Sequence, residues 1–437
     1  MKRYDEYKQT GKPWIGEIPS HWEVMPIKFT AKIYNGDSLN DNQKSIYGNC
    51  NDVDSIPYIA SKDVGRDSKF VDYENGIRIP EGGKGFSVAR PNTTLLCIEG
   101  GSAGKKTAYV NQRVCFVNKL CCFDSKLFDK YNYYFICSNT FKDPFSKNLQ
   151  GMIGGVTISE IKKFPIIVPP LNEQEAIAAY LDKKCESIDT VISTQERRIA
   201  LLEELKQSVI TEAVTHGINP DAKLRPSGID WIGNIPEHWE VMPLKYVLKV
   251  PLMYGANESA DSDNESNPRY IRITDIDDDG KLKVDTICRL SRQKAESYLL
   301  KKNDILFARS GATVGKTYLH INDEYACFAG YLIKAECNEK IVNPFFVYNY
   351  TKSKNYSNWK DSINIQATIQ NIGADKYSVL SIPVPPLREQ EEIVEYIDRK
   401  IKPIDASIAK AKREIELLKE LKQSVITEAV TGKIKIF

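Results

Sequence analysis

The chain has 437 residues, which is too many for a single hydrophobic core and predicts about two to four domains. Its formal net charge of +2 predicts neither a general binder of nucleic acid nor an enzyme for acidic substrates. No apolar run reaches the ~18 residues of a membrane span, and the N-terminal MKRYDEYKQTGKPW lacks the apolar stretch of a signal peptide. We therefore expect a cytoplasmic protein without a membrane segment.

The cysteine spacing gives no sign of a disulfide framework or a zinc site. Cys121 and Cys122 are adjacent, and the others are scattered without a CxxC pair or a nearby histidine pair. We expect reduced, mostly buried thiols and no metal-binding residues.

The first distinctive stretch, WIGEIPSHWEVMPIKF at 14–29, returns as WIGNIPEHWEVMPLKY at 231–246 with twelve of sixteen positions identical. A second block, LKQSVITEAVT, occupies 205–215 and recurs without change at 421–431. The two spacings, 217 and 216 residues, predict a tandem duplication of the whole chain, with a period far longer than that of a solenoid.

Each copy of the WIG segment is interpreted as a structural brace. Trp22 and Trp239 are predicted to pack in the interior, while Gly16 and Gly233 turn the chain. The histidine beside each tryptophan lacks a Ser, Cys or Asp arrangement that is repeated in both copies, so we expect no catalysis there.

Beyond the brace, each half is predicted to be globular and of mixed α+β structure. Strand composition marks TLLCI (94–98), VCFVNKLCCF (114–123), DILFA (304–308) and YACFAGYLIKA (325–335). The amphipathic, aromatic-rich stretches that follow are predicted helices, namely FDKYNYYFICSNTF (128–141) and NPFFVYNYTKS (343–353).

A PP-L-x-EQ motif, PPLNEQ at 169–174 and PPLREQ at 385–390, precedes a long charged helix in each half. Asn172 is the predicted N-cap of the first helix, and Pro403 is predicted to bend or restart the second. Apolar residues recur with a period of about 3.5, which is the seam of a coiled coil. The predicted helix-pairing residues are Leu181, Ile188, Ile192, Ile199 and Leu202 in the first helix and Ile404, Ile408, Ile415 and Leu418 in the second.

Two seams of similar register in one chain pair most economically with each other, and a duplication favours a pseudo-twofold, antiparallel coiled coil. The predicted fold is therefore α+β, with two globular domains separated by two long helices and one globular half at each end of the rod. The predicted boundaries are 1–168 and 217–384 for the globular domains and 169–216 and 385–437 for the helical spacers.

The identical block also repeats polar residues that face away from any seam, although a core constrains only the apolar rows. Equal outer faces suggest that two copies of one partner dock, one on each repeat. Recombination between the repeats, which would homogenise the sequence, is the alternative. The predicted partner-binding residues are Lys206, Gln207, Thr211, Glu212, Lys422, Gln423, Thr427 and Glu428.

The charge distribution separates helices from globular halves. Residues 172–216 carry nine acidic and five basic side chains, and residues 388–432 carry ten and nine. The basic excess therefore lies in the globular halves, where it is modest and suits groove contacts better than a broad cationic patch.

Two glycine-rich loops, GGSAGK at 100–105 and GATVGK at 311–316, resemble a phosphate loop. Ser310 stands where that motif requires its first glycine. The favoured interpretation is a turn between strands that presents Lys105 and Lys316 outward.

DIDDDG at 275–280 resembles the start of a calcium loop, but the twelfth position is Thr286 rather than glutamate. Its flanks alternate like strands, so a hairpin turn is predicted. No catalytic residues are identified in the chain.

WIG-x-IP-x-HWEV, PPL-x-EQ before a heptad helix, the glycine-rich loop and the full-length duplication together resemble the specificity (S) subunit of type I restriction-modification systems. The resemblance covers nearly the whole chain. It implies two target recognition domains, each reading one part of a bipartite, asymmetric DNA sequence. It also implies that the helices fix the spacing and dock two modification (methyltransferase) subunits.

The resemblance further implies a non-catalytic chain without a cofactor of its own. S-adenosylmethionine, ATP and Mg would be bound by the partners, which include restriction (endonuclease and translocase) subunits. Two other functions stay open: a stand-alone nucleotide-binding enzyme that uses the glycine-rich loops, and a coiled-coil adaptor with no role at DNA.

Contacts with double-stranded DNA are predicted by residue type, because Arg and Lys favour guanine edges and Asn and Gln favour adenine edges. The candidates are Lys62, Lys84, Lys105 and Gln150 in the first half and Arg272, Arg309, Lys316 and Gln366 in the second.

Overall fold

The computed structural model describes residues 3–48, 54–66, 71–80, 85–150, 154–364 and 371–436. Two compact units make up the chain. Unit 1 comprises Met1–Gln195 with Arg413–Phe437, and unit 2 comprises Glu196–Lys412. Each unit therefore combines one globular half with segments of both long helices.

Unit 1 is a mixed α+β structure. Its strands are β1 (Tyr7–Gln9), β2 (Glu17–Pro19), β3 (Glu23–Pro26), β4 (Ala31–Asn35), β5 (Ile56–Ile59), β6 (Arg78–Ile79), β7 (Val88–Ala89), β8 (Thr94–Cys97), β9 (Thr107–Tyr109), β10 (Val114–Phe116), β11 (Leu120–Ser125) and β12 (Pro165–Val168). Its helices are α1 (Asp41–Tyr47), α2 (Asp129–Cys137), α3 (Asn139–Lys147) and α4 (Ile158–Ile161), after which the chain continues as the long α5 (Leu171–His216).

Unit 2 repeats most of this order of elements, with ten strands in its described residues against twelve in those of unit 1. Its strands are β13 (Leu224–Pro226), β14 (Asn234–Pro236), β15 (Glu240–Pro243), β16 (Met253–Tyr254), β17 (Arg269–Ile271), β18 (Ile305–Ala308), β19 (Thr317–Leu319), β20 (Ala326–Phe328), β21 (Leu332–Ala335) and β22 (Ser381–Val384). Its helices are α6 (Arg292–Ala295), α7 (Pro344–Tyr350), α8 (Lys354–Asn364) and α9 (Ala374–Ser378), followed by the long α10 (Leu387–Val430).

The two units share their main sheet topology. A four-stranded antiparallel sheet has the order β4-β11-β8-β9 in unit 1 and β16-β21-β18-β19 in unit 2. A parallel pair accompanies it, β5 with β10 and β17 with β20. The strand of each WIG segment pairs with the strand that leads into a long helix, β3 with β12 and β15 with β22. The predicted α+β class and the internal duplication are confirmed.

Two glycines outside the repeated motifs occupy one structural position. Gly36 follows β4 and Gly255 follows β16, and each passes close to the backbone of the neighbouring parallel pair. A Cβ atom would overlap the carbonyl oxygen of Phe116 at Gly36 and that of Phe328 at Gly255. Only glycine fits there, so these positions belong to the shared scaffold.

The predicted local structure is confirmed with finer divisions. The strands expected at 94–98 and 304–308 form as β8 and β18, while 114–123 divides into β10 and β11. The helix expected at 128–141 divides into α2 and α3 at Ser138, whose hydroxyl donates to the carbonyl of Phe135 at 2.6 Å and helps to end α2.

The DIDDDG stretch forms a turn, as predicted. Ile276 bridges Leu282, and the Asp277 carboxylate accepts the Lys281 N–H at 2.8 Å. The flank beyond Leu282 does not continue as a strand. The backbone of this flank instead forms isolated hydrogen bonds, such as the one from the Lys283 N–H to the Asp275 carbonyl at 2.8 Å.

The start of α5 differs from the prediction. The carbonyl of Pro170 accepts the N–H groups of Glu173 and Gln174 at 2.9 and 3.0 Å, which places Asn172 inside the first turn. The prediction of Asn172 as N-cap is therefore wrong, because the second proline of the motif provides the capping carbonyl.

Helix α10 runs without interruption through Pro403, so the prediction that this proline restarts the helix is wrong. Pro403 and Arg399 both lie on the exposed face of the helix. The carbonyl of Arg399, which loses its helical donor, is therefore accessible to water. Among the described residues, none of the helices combines the length and the apolar content needed to cross a bilayer.

The two long helices lie side by side and antiparallel in unit 2. Lys412 approaches Glu203 at 3.8 Å, and Lys206 approaches Asp405 at 2.7 Å, so numbering falls along one helix as it rises along the other. The helix-pairing residues named above are all buried or half-buried. The predicted antiparallel pairing is confirmed.

Candidate functional site

A buried carboxylate joins the WIG segment to the start of α5. Glu173 of PPLNEQ accepts the indole N–H of Trp22 at 2.8 Å and the hydroxyl of Tyr4 at 3.1 Å. Its other oxygen lies 2.7 Å from His21 Nε2. Burial, followed by the charge of Glu173, raises the pKa of Tyr4, which keeps this hydroxyl protonated as a donor.

The second copy repeats the arrangement. Glu389 accepts the indole N–H of Trp239 at 3.1 Å and lies 2.8 Å from His238 Nε2. Both indoles are fully buried, and Gly16 and Gly233 have φ values of +74° and +75°. The predicted brace is confirmed. Each tryptophan binds the glutamate of the PP-L-x-EQ motif, and the sequence alone does not show that these two motifs contact each other.

The glutamine of each PP-L-x-EQ motif ties the helix start to the globular half. Gln174 accepts the Phe128 N–H at 2.9 Å and donates to the Pro169 carbonyl at 2.8 Å. Gln390 accepts the Asn343 N–H at 2.7 Å in the same way. Both residues of the EQ pair are thus used inside the chain.

The identical block packs on its own unit through a threonine. Thr427 accepts the N–H of Asn139, the first residue of α3, at 3.1 Å, and Thr211 accepts the N–H of Lys354, the first residue of α8, at 2.9 Å. A helix start lacks internal acceptors, so each hydroxyl caps a helix from outside. This contact gives a structural reason for identity at these positions.

The lysines of the block make a second reciprocal contact. Lys206 pairs with Asp405 in unit 2, and Lys422 pairs with Asp189 in unit 1, each at 2.7 Å. Both aspartates lie on the opposite long helix. The lysines therefore complete the helix pairing at points where the apolar seam is interrupted.

The remaining polar residues of the block differ in their surroundings. Gln423 donates to the Cys137 carbonyl at 2.9 Å. The equivalent residue in unit 2, Gln207, is half-buried. Glu212 keeps a side chain that is 68% exposed, and Glu428 accepts the hydroxyl of Ser424 at 2.9 Å. Binding of a partner by these residues stays a prediction.

The described DNA-contact candidates of unit 1 lie on loops that hydrogen bonds connect. Lys62 follows β5 and is exposed, and its neighbour Ser61 accepts Lys106 Nζ at 2.8 Å. Exposed Gln150 pairs with Gly155, which itself bridges Glu99, two residues after β8. Lys105 is exposed on the glycine-rich loop, whereas Lys84 lies outside the described residues.

The glycine-rich loops differ in length by one residue. In unit 1, the Cys97 N–H reaches the Lys106 carbonyl at 2.9 Å, and in unit 2 the Ala308 N–H reaches the Lys316 carbonyl at 2.8 Å. Gly104 and Gly315, however, donate their N–H groups to the carbonyls of Cys97 and Ala308 at 2.8 and 2.9 Å, which matches Lys105 to Lys316 as the sequence motifs do. Lys106 is therefore the extra residue of the unit 1 loop, between Lys105 and β9.

Arg272 in unit 2 is held by a neighbouring carboxylate. Its guanidinium donates to both oxygens of Asp275 at 2.9 and 3.1 Å. Burial acts to raise the pKa of Asp275, but the bonds from Arg272 outweigh it and the pKa lies below the ordinary value. The guanidinium donors of Arg272 are thus largely used within the protein.

Lys316 is less outward than predicted. Its ammonium lies 2.6 Å from Asp278 of the DIDDDG turn, and this hydrogen bond lowers the pKa of Asp278. The loop that precedes Lys316 joins antiparallel β18 and β19 rather than a strand and a long helix, so it differs from a phosphate loop. Gln366 lies outside the described residues.

Arg309 has a different environment. It directly follows β18, and its guanidinium lies over the ring of Tyr254, 4.7 Å from the centroid. Its Nε donates to the side-chain oxygen of Asn371 at 3.4 Å, and its backbone N–H bonds the carbonyl of Tyr331 at 3.0 Å. The sequence gives no sign of these neighbours, which come together only through the sheet register.

Both halves of the chain match one family of proteins. The family model described as "Type I restriction modification DNA specificity domain" matches residues 19–203 and 236–417. The chain belongs to this family. Two specificity domains in one chain account for the duplication that the sequence repeats predicted.

Similar proteins cover the chain almost end to end. The type I restriction enzyme EcoBI specificity subunit of Escherichia coli is 23% identical over 436 residues, covering 95% of this chain and 87% of the relative. The MjaVIII specificity subunit of Methanocaldococcus jannaschii is 24% identical, covering 96% of this chain and 94% of the relative.

A solved structure shares the fold of this specificity-domain chain. A chain from the structure described as "Structural basis underlying complex assembly and conformational transition of the type I R-M system" superposes with a TM-score of 0.67. The two are 16% identical, and the match covers 95% of this chain and 99% of the other.

Proposed function

We propose that this chain is the sequence-specific DNA-recognition subunit of a type I restriction-modification complex. The globular half of each unit reads one part of a bipartite, asymmetric double-stranded DNA site. The chain itself is non-catalytic and acts in the cytoplasm as a component that modification and restriction subunits require.

One observation carries this proposal: the two units share a scaffold but not the side chains displayed on it. Gly36 and Gly255 match, as do the braces at Glu173 and Glu389. At equivalent positions, however, the exposed side chains differ in kind, as with Tyr331 in unit 2 and Lys119 in unit 1. One scaffold with two different surfaces suits two different half-sites.

The paired helices are proposed to set the spacing between the half-sites and to dock two modification subunits. Support for docking comes from the outer face of the identical block. A cavity of about 340 Å³ opens there in unit 1, and its lining is Asn139, Glu420, Gln423, Ser424, Thr427, Glu428 and Lys433. S-adenosylmethionine, ATP and Mg are assigned to the partner subunits.

A domain exchange tests the proposal. Residues 30–160 are replaced by the corresponding segment of a relative of different specificity, the variant is expressed with its modification subunit, and methylated adenines are mapped across the genome. We expect one half of the methylated sequence to change. The matched exchange of residues 247–376 should change the other half. If either exchange alters both halves or neither, the two-reader proposal fails.

A further inference from the structure

Arg309 is fixed in place from several sides. Tyr254 supports the guanidinium face, and the hydroxyl of Tyr254 accepts the N–H of Ala374 at 2.9 Å, which immobilises the ring. The carbonyl of Arg309 accepts the N–H of Ile372 at 2.8 Å. A guanidinium that is fixed in this way loses little conformational entropy when it binds a ligand.

The outer edge of this guanidinium is open. Nε is used by Asn371, whereas neither Nη atom has a hydrogen-bond acceptor or a carboxylate partner in the part of the chain that the structure describes. Two other arginines of unit 2 differ in this respect. Arg272 donates to the carboxylate of Asp275, and Arg269 donates to the carbonyl of Lys283 at 2.6 Å. Arg309 thus keeps two parallel donors for an external acceptor pair.

The cluster is specific to unit 2. The backbone bonds that place Arg309, Asn371 and Tyr331 are repeated in unit 1, where the Ile98 N–H bonds the Lys119 carbonyl at 3.0 Å and the Val156 N–H bonds the Ile98 carbonyl at 3.0 Å. The strand pairing likewise matches Tyr254 to Asn35. Arginine, tyrosine and asparagine are therefore not demanded by the shared scaffold.

Tyr331, whose carbonyl accepts the N–H of Arg309, is an exposed aromatic residue opposite Arg309 in the sheet. It is 59% exposed at the tip between β20 and β21, and its carbonyl holds the backbone of Arg309. An exposed aromatic beside a preorganised arginine is typical of a surface that contacts bases rather than one that only neutralises phosphates. A pure phosphate contact needs neither the stacked ring nor the fixed plane.

We propose that Arg309, clamped by Tyr254 and Asn371, reads a guanine in the half-site contacted by unit 2, with its two Nη groups donating to O6 and N7. The bidentate match between guanidinium and guanine is the physical basis. This inference rests on the proposed function and adds to it the identity of one base and the residue that reads it. Asn371 and Tyr254 act as positioning residues.

The test uses the complex of the full chain with its modification subunit. The methylated motif is mapped first, and the unit 2 half-site is identified by the exchange of residues 247–376. We expect a guanine in that half. Its replacement by 7-deazaguanine, which lacks the N7 acceptor, should weaken binding of the wild-type complex by roughly 5- to 150-fold.

Two variants without a side-chain donor test whether residue 309 reads N7. In Arg309→Ala and Arg309→Leu, the same replacement of guanine should change binding by less than about 2-fold, because neither side chain has a donor for N7 and leucine keeps much of the volume. Arg292→Lys is the matched control, since Arg292 also lies over a tyrosine of unit 2, Tyr325, at 6.0 Å. This control should keep the full sensitivity to 7-deazaguanine.

The outcomes are distinguishable. A wild-type complex that methylates no bipartite sequence contradicts the proposed function. A bipartite sequence without guanine in the unit 2 half, or an Arg309→Ala variant that stays as sensitive to 7-deazaguanine as the wild type, overturns this inference alone. Thermal unfolding of each variant confirms that the unit is still folded.

Discussion

Glu173 accepts the indole N–H of Trp22 at 2.8 Å although the two residues are 151 positions apart in the chain. This bond fixes the first turn of α5 against the WIG segment. Since Tyr4 and His21 also approach the same carboxylate, at 3.1 and 2.7 Å, the buried charge has several polar partners. A carboxylate held in this way is costly to alter, because its donors would lose their acceptor.

Glu173→Gln is expected to lower the free energy of unfolding by ~1–3 kcal/mol, because an amide offers one acceptor oxygen where the carboxylate offers two. Glu389→Gln should cost less, since that side chain is 22% exposed against 8% for Glu173. Urea denaturation followed by tryptophan fluorescence measures both. Glu175→Gln, at an exposed position two residues on, is the control. An equal loss in Glu175→Gln would contradict the brace.

Thr211→Val should weaken the start of α8, because it removes the hydroxyl that accepts the Lys354 N–H while keeping the side-chain volume. A lost helix cap costs ~1 kcal/mol, or about 5-fold in local opening. Hydrogen exchange at the first amides of α8 measures this change. Ser208→Ala, on the exposed side of the same block, should leave the exchange unchanged. Equal protection in Thr211→Val and the wild type would refute the capping role.

The domain organisation can be predicted from the sequence because each of its main motifs occurs twice. The WIG segments, the PP-L-x-EQ motifs and the identical block each appear at both copies, so periodicity alone locates Trp22, Glu173 and the two long helices. Residues that pair across a seam repeat at a fixed period, and this periodicity makes the pairing of the two helices predictable from the amino-acid sequence alone.

The contacts of single side chains are not visible in the same way. Whether Arg272 is open or held by Asp275 depends on a single 3-10 turn after β17. The neighbours of Arg309 come from three separate segments, which only the sheet register brings together. Residue type therefore identifies Arg309 as a candidate but gives no reason to prefer it over Arg272.

The ion pair between Lys206 and Asp405 gives a further prediction. Asp405→Lys should lower the free energy of unfolding by ~0.2–1 kcal/mol, since the pair is partly exposed and screened by solvent. The double variant Lys206→Asp with Asp405→Lys should restore most of the loss. Denaturation of all four proteins at low and high salt gives the coupling energy, which should shrink in high salt.

The equivalent pair in unit 1 serves as a comparison. The Lys422 side chain is 17% exposed, whereas that of Lys206 is 26% exposed, so the cycle for Lys422 and Asp189 should give an equal or larger coupling energy. Double variants that show no recovery in either unit would mean that these contacts do not stabilise the helix pair.

The stability of unit 2 should depend on pH through His320. This side chain is buried, its Nε2 faces the Glu324 carbonyl at 3.2 Å, and its Nδ1 lies 3.1 Å from the hydroxyl of Tyr318. The geometry suits a neutral ring that donates from Nε2 and accepts at Nδ1. Burial lowers the pKa of His320, because the charged ring would lose its hydration.

A histidine whose pKa is lower in the folded state than in the unfolded chain stabilises the fold above the unfolded value of about 6.5. That contribution is lost as the pH falls through about 6.5 towards the folded pKa, with a slope of up to ~1.4 kcal/mol per pH unit for one proton. His320→Gln should therefore show a flatter pH dependence below about 6.5, measured as the urea midpoint from pH 5 to 8. Carboxylates contribute equally to both proteins, so the difference between the two curves isolates the histidine. If His320→Gln follows the wild-type curve, protonation of this ring does not oppose folding.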